Sequence, residues 1–231
     1  MYLSRLMLDP RTRQVRRDLA DCQDLHRTLL SAWPQVDGPL GVRAECGLLY
    51  RVERYPRANE VSIFVQTRDV PDWRRLPDGY VICHEMKQVD AAYQGLRPGM
   101  RLRFRLRANP TRRIAKARTK EEERWVGKRV DLRKEEEQIA WLERKGREQC
   151  GFELGRSRVG DDIANVRTQS EDRSLGRKGD AKVTLASVLF EGELEITDIT
   201  HFRLALEKGI GSGKAYGFGL LSIAPSKGMN S

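Results

Sequence analysis

One residue that could carry protons lies in the segment DLHRTLLSAW, residues 24–33, whose apolar spacing predicts an amphipathic helix. His26 lies about one turn into this helix, beside the apolar stripe that Leu25, Leu29 and Leu30 form. Imidazole is the side chain best suited to proton transfer near neutral pH. Most single histidines beside an apolar stripe are structural, however, so the residue types alone leave both roles open.

RNA is a substrate on which such a histidine could act without a metal ion, because RNA supplies its own nucleophile, the 2′-hydroxyl group. Cutting then needs a base, an acid and cations that stabilise the crowded phosphate. The sequence offers such groups, with 43 Lys and Arg residues. Its cysteines, Cys22, Cys46, Cys83 and Cys150, form no C-x-x-C pair, so we expect reduced thiols, no metal site and no cofactor.

A run of alternating arginines is the clearest candidate for binding a polyanion. In RLRFRLRA, residues 101–108, the arginines recur with period two, which places them on one face of a strand. Such a face could contact phosphates, or it could be an edge whose charge prevents aggregation. The predicted RNA-binding residues here are Arg101, Arg103, Arg105 and Arg107, and the same charge continues at Arg112 and Arg113.

A glycine-rich segment, KGIGSGKAYGFGLL, occupies residues 208–221. Glycine permits positive φ angles and lets a ligand approach main-chain N–H groups closely. The spacing fits neither a Walker A loop nor a G-x-G-x-x-G motif, because Lys214 stands where the last glycine of the latter should be. A turn before a strand explains the glycines equally well. The candidate binding residues in this segment are Gly209, Gly211, Gly213 and Lys214.

The overall charge favours a nucleic-acid partner. Lys and Arg exceed Asp and Glu by 43 to 33, which gives a net charge of +10. A basic protein attracts polyanions, and phosphates supply most of the affinity for nucleic acids. Binding to a membrane surface is disfavoured, because the basic residues are spread over strands and loops. A metal-dependent nuclease is disfavoured too, because no carboxylates are convincingly paired. Without an apolar run that could span a bilayer or a credible signal peptide, we expect a cytoplasmic protein.

The elements that position these residues follow the order β-α-β-β-α-β twice, which predicts an α+β fold of two tandem ferredoxin-like domains. RPGM, residues 97–100, punctuates the chain, so we expect domains at 1–94 and 95–231. Asp21 is the predicted N-cap of the histidine helix, and a basic loop is predicted before it. Two further basic stretches, 111–132 and 155–180, are weakly patterned and are predicted to be loops.

Three segments together resemble the CasE-type endoribonucleases of type I-E CRISPR systems. They are MYLSRLMLDPRTRQVRRDLADCQDLHRTL at the start, RLRFRLRANPTRR in the middle and GIGSGKAYGFGLLSIAP near the end. The resemblance implies two ferredoxin-like domains that bind the stem-loop of the CRISPR repeat and cut the precursor at the 3′ base of the stem. It also implies metal-independent attack by the 2′-hydroxyl, which leaves a 5′-hydroxyl and a 2′,3′-cyclic phosphate or 3′-phosphate. The enzyme would then stay on the guide RNA beside the other Cascade subunits.

The resemblance also assigns roles to residues. The family's catalytic histidine falls on His26, while a tyrosine that some relatives have three positions earlier is replaced by Gln23, which cannot exchange a proton in this pH range. His26 could act as base, acid or electrostatic stabiliser. RNA contacts are expected from Gln23, Arg27, the glycine-rich segment and a basic hairpin with Arg156, Arg158, Arg177 and Lys178. The alternative is a non-catalytic RNA-binding subunit of a ribonucleoprotein.

Overall fold

The structure is a computed structural model, and it describes residues 1–33, 45–55, 58–116, 119–156, 164–178 and 181–226. Strands and helices alternate along the chain and form two antiparallel sheets, each covered on one face by helices or turns. The α+β fold with two ferredoxin-like sheets is therefore confirmed. Within the described residues, no helix combines the length and the apolar character needed to cross a membrane.

The first sheet contains four strands with two helices in the first crossover. The second crossover contains a single 3₁₀ turn, Trp73–Arg75, where the predicted element order has a helix. The strands have the order β2-β3-β1-β4, which is the ferredoxin-like order. The elements are β1 (Tyr2–Leu8), α1 (Arg13–Ala20), α2 (Cys22–Leu30), β2 (Leu49–Tyr55), β3 (Glu60–Thr67), β4 (Val81–Gln88) and α3 (Asp90–Gln94).

The second sheet repeats this order as β11-β5-β10-β8, and an additional strand, β9, pairs with the first part of β10. Helices α5 and α6 cover its apolar face, where Phe152, Phe190 and Phe202 are fully buried. The elements are β5 (Arg101–Ala108), β6 (Thr111–Arg113), α4 (Lys120–Glu123), β7 (Arg129–Asp131), α5 (Glu135–Lys145), β8 (Phe152–Leu154), β9 (Val166–Lys178), β10 (Ala181–Ile196), α6 (Ile199–Lys208) and β11 (Leu221–Pro225).

Three stretches predicted to be loops form regular structure. Residues 111–132 contain the short β6–β7 pair, and residues 155–180 contain the whole of β9. The predicted basic loop before the histidine helix is α1, whose Val15 and Asp18 side chains face inward. In each case long-range contacts compensate for the weak local pattern, because β9 pairs with β10 and α1 packs on α2.

A buried carboxylate joins α1 to its surroundings. Asp18 is 0% exposed and accepts hydrogen bonds from Thr28 of α2 at 2.6 Å, Gln14 at 3.0 Å and the Tyr80 hydroxyl at 3.0 Å. Burial, together with the Asp18 charge, raises the pKa of Tyr80, which therefore stays a hydrogen-bond donor. Asp18 thus ties both helices of the first crossover to the segment before β4.

Replacing this carboxylate by Asp18→Ala is expected to lower the free energy of unfolding by about 2–3 kcal/mol, because buried donors lose a charged acceptor. Urea denaturation measures the change. Asp9→Ala, at a half-buried carboxylate paired with the exposed Arg11, is the control and should lower the midpoint much less. Equal midpoints for both variants would show that the Asp18 hydrogen bonds contribute nothing to stability.

Candidate functional site

Helix α2, which carries His26, begins after Asp21, the residue predicted as its N-cap. The Asp21 side chain accepts hydrogen bonds from the backbone N–H groups of Gln23 at 2.8 Å and Asp24 at 3.3 Å. These bonds satisfy donors that the first turn of a helix otherwise leaves unpaired. Leu25 and Leu29 face the core of the first domain, which fixes the rotation of α2 and the direction of its other faces.

His26 lies at a junction between the two domains. Its ring stacks on that of Tyr50 in β2, with centroids 6.2 Å apart and planes at 15°. The Tyr50 hydroxyl in turn donates a hydrogen bond to the backbone carbonyl of Ala215, at 3.0 Å. Ala215 belongs to a 3₁₀ turn, Lys214–Tyr216, within the glycine-rich segment. Helix α2, strand β2 and the glycine-rich segment, three elements distant in sequence, therefore meet around this ring.

His26 is less exposed to solvent than its position beside the apolar stripe of α2 suggests. His26 is only 6% exposed, and both β9 and the turn of the glycine-rich segment pack against α2. One turn earlier on the same helix face, Cys22 lines an open cleft between the domains. Gln23 is half-buried, and Arg27 is exposed and pairs with Asp24 at 2.7 Å. The predicted residues Gln23, His26 and Arg27 lie on α2, and Cys22 and Leu25 are the residues of that helix that line the cleft.

The cleft between the domains has a volume of about 770 Å³. Residues of α1, α2 and β2 from the first domain and of β5 and β9 from the second domain line it, together with Tyr216. Its charges are mixed, because Asp18, Glu53, Glu171 and Asp172 accompany the arginines. The cleft can therefore hold a polar ligand, but it is not a purely cationic surface.

The arginine strand is β5, and its leucines and phenylalanine face the core as predicted. The four arginines share the other face but differ in their environment. Arg101 is 60% exposed and pairs with Glu195, while Arg103 is exposed and donates to the carbonyl of Pro225. Arg101 and Arg103 remain predicted RNA contacts.

The other two arginines of β5 are engaged within the protein. Arg105 pairs with the buried Glu53 at 2.9 Å, and Arg107 is only 14% exposed and donates to Glu171 at 2.6 Å. The guanidinium of Arg107 also lies over the Phe218 ring, at 4.9 Å. Carboxylates from β2 and β9 thus pair with Arg105 and Arg107, which both line the cleft and stay predicted RNA contacts.

The glycine-rich segment is a tight, packed turn. Gly209, Gly211, Gly213, Gly217 and Gly219 all have positive φ angles. A side chain on Gly217 would also meet the Tyr50 ring at 3.0 Å, so glycine is required here for close packing as well as for conformation. The structural explanation left open by the sequence therefore holds, and the turn of the segment also packs against α2.

The predicted basic hairpin is formed by β9 and β10, and its side chains vary in accessibility. Arg177 is exposed near the tip, and Arg156, before the hairpin, is exposed and pairs with Glu143 at 3.0 Å. Lys178 ends β9, where its backbone lies opposite Ala181. Arg158 lies outside the described residues. Arg112, Arg113 and Lys214 lie elsewhere, around a second cavity on the helix side of the second domain.

The hairpin also contacts the start of α2. A Cβ atom on Gly176 would lie 2.8 Å from the Cys22 sulfur and 3.0 Å from an Asp21 carboxylate oxygen. No side chain fits there without moving the hairpin or the N-terminus of α2. Gly176 therefore allows the basic hairpin to pack directly on the helix that carries His26.

Gly176→Val is expected to separate the hairpin from α2 and to slow RNA cleavage by about ten- to a hundredfold, because small displacements of reacting groups are costly. Single-turnover cleavage of a repeat hairpin measures the effect. Leu175→Val, at an exposed neighbour on the same strand, is the control and should cleave at the wild-type rate. A wild-type rate for Gly176→Val would show that this contact does not position His26.

The described residues contain no group of three His, Cys, Asp or Glu side chains that could hold a metal ion. The four cysteines are free thiols, of which Cys83 is exposed and Cys46 and Cys150 are buried. Burial raises the pKa of Cys22 and of Cys150 to about 11, so both stay protonated near neutral pH. Cys22 is therefore no thiolate nucleophile, although it lines the cleft next to His26.

Tyr50 and Glu53 are residues that sequence reasoning did not single out. Both lie in β2, three positions apart and therefore on opposite faces of the strand. The Tyr50–His26 contact depends on how α2 packs on β2, and the Glu53–Arg105 pair depends on how the two domains pack, which no local pattern indicates.

Comparison with known proteins gives full-length matches. A sequence model of the family described as CRISPR associated protein matches residues 1–225. CRISPR-associated endoribonuclease Cse3 of Thermus thermophilus is 39% identical over 232 residues, which cover 97% of this chain and 100% of the relative. CRISPR system Cascade subunit CasE of Escherichia coli is 32% identical over 228 residues, with 97% and 100% covered.

Solved structures agree with these matches. Cse3 bound to a 19 nt RNA has a TM-score of 0.79 at 38% identity, covering 97% of this chain and 100% of that one. A Thermus thermophilus Cse3 complex with an RNA representing the pre-cleavage state has a TM-score of 0.74 at 37% identity, with 97% and 98% covered. A chain of a CRISPR RNA-guided surveillance complex has a TM-score of 0.61 at 27% identity, with 98% and 100% covered. With its fold, its histidine helix and its full-length matches, the chain belongs to the Cse3/CasE family of CRISPR-associated proteins.

Proposed function

We propose that this chain is an endoribonuclease that binds the repeat stem-loop of precursor CRISPR RNA and cuts at the 3′ base of the stem. The observation that carries the proposal is the placement of His26 on a capped helix, where that helix, Tyr50 and the glycine-rich segment meet beside an open cleft. Relatives that match over their full length are named as an endoribonuclease and as a Cascade subunit. One such relative is seen with RNA in a pre-cleavage state.

The proposed reaction uses the RNA's own 2′-hydroxyl. Its oxygen attacks the adjacent phosphorus, the bond from phosphorus to the 5′-oxygen breaks, and a 2′,3′-cyclic phosphate and a 5′-hydroxyl result. One proton leaves the 2′-oxygen and one reaches the departing 5′-oxygen. His26 carries one of these protons or stabilises the charge on the phosphate. Gln23 can only orient groups by hydrogen bonding. Arg27, the residue that follows His26 on α2, is the proposed cation for the phosphate.

The burial of His26 adds a requirement to this mechanism. A ring that is 6% exposed cannot contact a phosphate until the residues above it shift. Both β9 and the 3₁₀ turn Lys214–Tyr216 pack against α2, so RNA binding is expected to shift one of these elements before the chemical step.

After cleavage, the stem remains intact, so the contacts that bind it persist. We propose that the protein stays on the mature guide and assembles with other Cascade subunits, as the surveillance-complex chain of the same fold suggests. A non-catalytic RNA-binding subunit is the second candidate, and the burial of His26 favours it. Cleavage assays distinguish the two.

The proposed chemistry predicts that a repeat hairpin RNA is cut at an unchanged rate in excess EDTA, because no step needs a metal ion. Gel analysis should show one cut at the 3′ base of the stem. The 5′ product should resist phosphatase until acid opens the cyclic phosphate, and the 3′ product should accept phosphate from a kinase directly. Loss of cleavage in chelator would contradict metal independence, and tight binding without any cut would favour the non-catalytic subunit.

A further inference from the structure

Tyr50 is the aromatic residue on which the ring of His26 is stacked. The ring centroids lie 6.2 Å apart and the planes meet at 15°, which is the offset arrangement that aromatic pairs prefer. Tyr50 is fully buried and belongs to the core of the first domain, whose close packing holds its ring in place. Turning the imidazole out of this plane would lose the stacked contact. The stack therefore favours one orientation of the two nitrogen atoms of His26.

The hydroxyl group of Tyr50 contacts the backbone of two other elements. It donates a hydrogen bond to the Ala215 carbonyl at 3.0 Å and also approaches the Cys22 carbonyl, at 3.5 Å. In an α-helix, the carbonyl of Cys22 accepts the N–H of the residue four positions later, which is His26. One side chain thus contacts the imidazole through its ring and the helix turn that carries the imidazole through its hydroxyl.

The turn that provides the Ala215 carbonyl is shaped to approach Tyr50 closely. A Cβ atom on Gly217 would lie 3.0 Å from a ring carbon of Tyr50, and the φ angle of Gly217 is +81°. A glycine at this position therefore lets the backbone of the turn reach the ring. As a result, the hydrogen bond from Tyr50 to Ala215 joins the first domain to the second domain beside the helix that carries His26.

Packing alone does not explain a tyrosine at this position. A phenylalanine would fill almost the same space in the core and would stack on His26 equally well. Burying a hydroxyl group costs free energy unless the group is hydrogen-bonded, and one hydrogen bond adds only a modest net stability. The feature that a tyrosine adds here is the connection from the stacked ring to the backbone at Cys22 and Ala215. Since Tyr50 is 0% exposed, any effect of that connection on RNA has to pass through a neighbour.

We propose that Tyr50 is a positioning residue for RNA cleavage, which acts through His26 by fixing the orientation of the imidazole and the helix turn that carries it. The inference rests on the proposed function, because Tyr50 has this role only if His26 takes part in the cut. Helix α2 and strand β2 belong to the same domain. The stack therefore persists whether β9 or the turn of the glycine-rich segment shifts when RNA binds.

The test begins with Tyr50→Phe, which removes the hydroxyl and keeps the stacked ring. Single-turnover cleavage of a repeat hairpin should slow by about three- to tenfold, the factor that one net hydrogen bond represents. The Kd for an uncleavable RNA, with a deoxy sugar at the cut, should stay within about twofold, because phosphate contacts elsewhere supply the affinity. Tyr50→Leu, which also removes the aromatic ring, should slow cleavage by about a further tenfold.

A double-mutant cycle with His26→Ala separates positioning from a merely structural role. If Tyr50 acts through the imidazole, adding Tyr50→Phe to His26→Ala should change the residual cleavage rate by less than about twofold. The rate of the RNA without protein is subtracted from each measurement. A structural effect on the rest of the site would instead slow the His26→Ala protein by the same factor as the wild type.

Tyr93→Phe is the matched control. It removes the same group from a partly buried tyrosine of α3, whose hydroxyl donates a hydrogen bond to Gln66 at 2.9 Å. Each variant loses one hydrogen bond, so both should lower the melting temperature by a similar amount. The control protein should nevertheless cleave at the wild-type rate.

Four results would overturn the inference: wild-type cleavage by Tyr50→Phe, a loss of rate explained by weaker RNA binding, the same loss in the His26→Ala background, or equal slowing by Tyr93→Phe. A failure of the proposed function would differ from all of these. In that case the wild type itself would bind the hairpin without cutting it, or His26→Ala would cut as fast as the wild type.

Discussion

His26→Ala is expected to slow cleavage of the repeat hairpin by about 10²–10⁴-fold, the range that one general acid or base contributes. Affinity for the RNA should stay within about twofold, because cationic contacts elsewhere supply most of the binding. The effect should be mainly on the chemical step, since His26 is a single side chain and the predicted RNA contacts are spread over both domains. Single-turnover cleavage and anisotropy with the same RNA separate the two quantities.

The buried position of this ring makes a stability control necessary. His26→Ala removes a side chain that packs on Tyr50, so its melting temperature must be compared with that of the wild type. His84→Ala, at an exposed histidine of β4, should change neither cleavage nor stability. Wild-type cleavage by a folded His26→Ala protein would remove the histidine from the mechanism. Loss of binding together with cutting would assign it to the structure of the site.

The order of elements could be predicted from sequence because the responsible patterns are local. Period-two alternation identified β5, and apolar spacing with a capping aspartate identified α2. Helix α1 was missed because its charged and polar residues outnumber its apolar residues. Its stability comes from the hydrogen bonds that Asp18 makes with Thr28 and Tyr80, and nothing local indicates those partners.

The candidate site could be predicted only in part, for the same physical reason. The face shared by the β5 arginines followed from strand geometry, but their pairing depends on Glu53 in β2 and Glu171 in β9. Likewise, His26 lies on a helix against which β9 and a glycine-rich segment from the other end of the chain pack. Spacing within a segment thus predicts which residues share a surface, whereas charge compensation and access depend on contacts between domains.

Glu53→Ala is expected to have the largest effect on stability, lowering the free energy of unfolding by about 3–5 kcal/mol. Glu53 is 5% exposed, and its two oxygens bind Arg51 at 2.7 Å and Arg105 at 2.9 Å. Arg51 is 4% exposed and also donates to the Leu220 carbonyl at 3.3 Å and to Ser222 at 3.0 Å, both in the second domain. Burial lowers the pKa of Arg51, but the guanidinium stays charged.

Without Glu53, the positive charge of the Arg51 guanidinium would remain between the domains with no carboxylate to balance it. Urea denaturation should therefore show a large decrease in midpoint. Glu191→Ala, at the exposed carboxylate that pairs with Arg105 at 3.4 Å, should cost less than about 1 kcal/mol. Adding Arg51→Met to Glu53→Ala should recover part of the loss, because an apolar side chain of similar length removes the unbalanced charge. If the double variant is less stable than Glu53→Ala alone, the hydrogen bonds from Arg51 to the second domain, not its charge balance, hold the two sheets together.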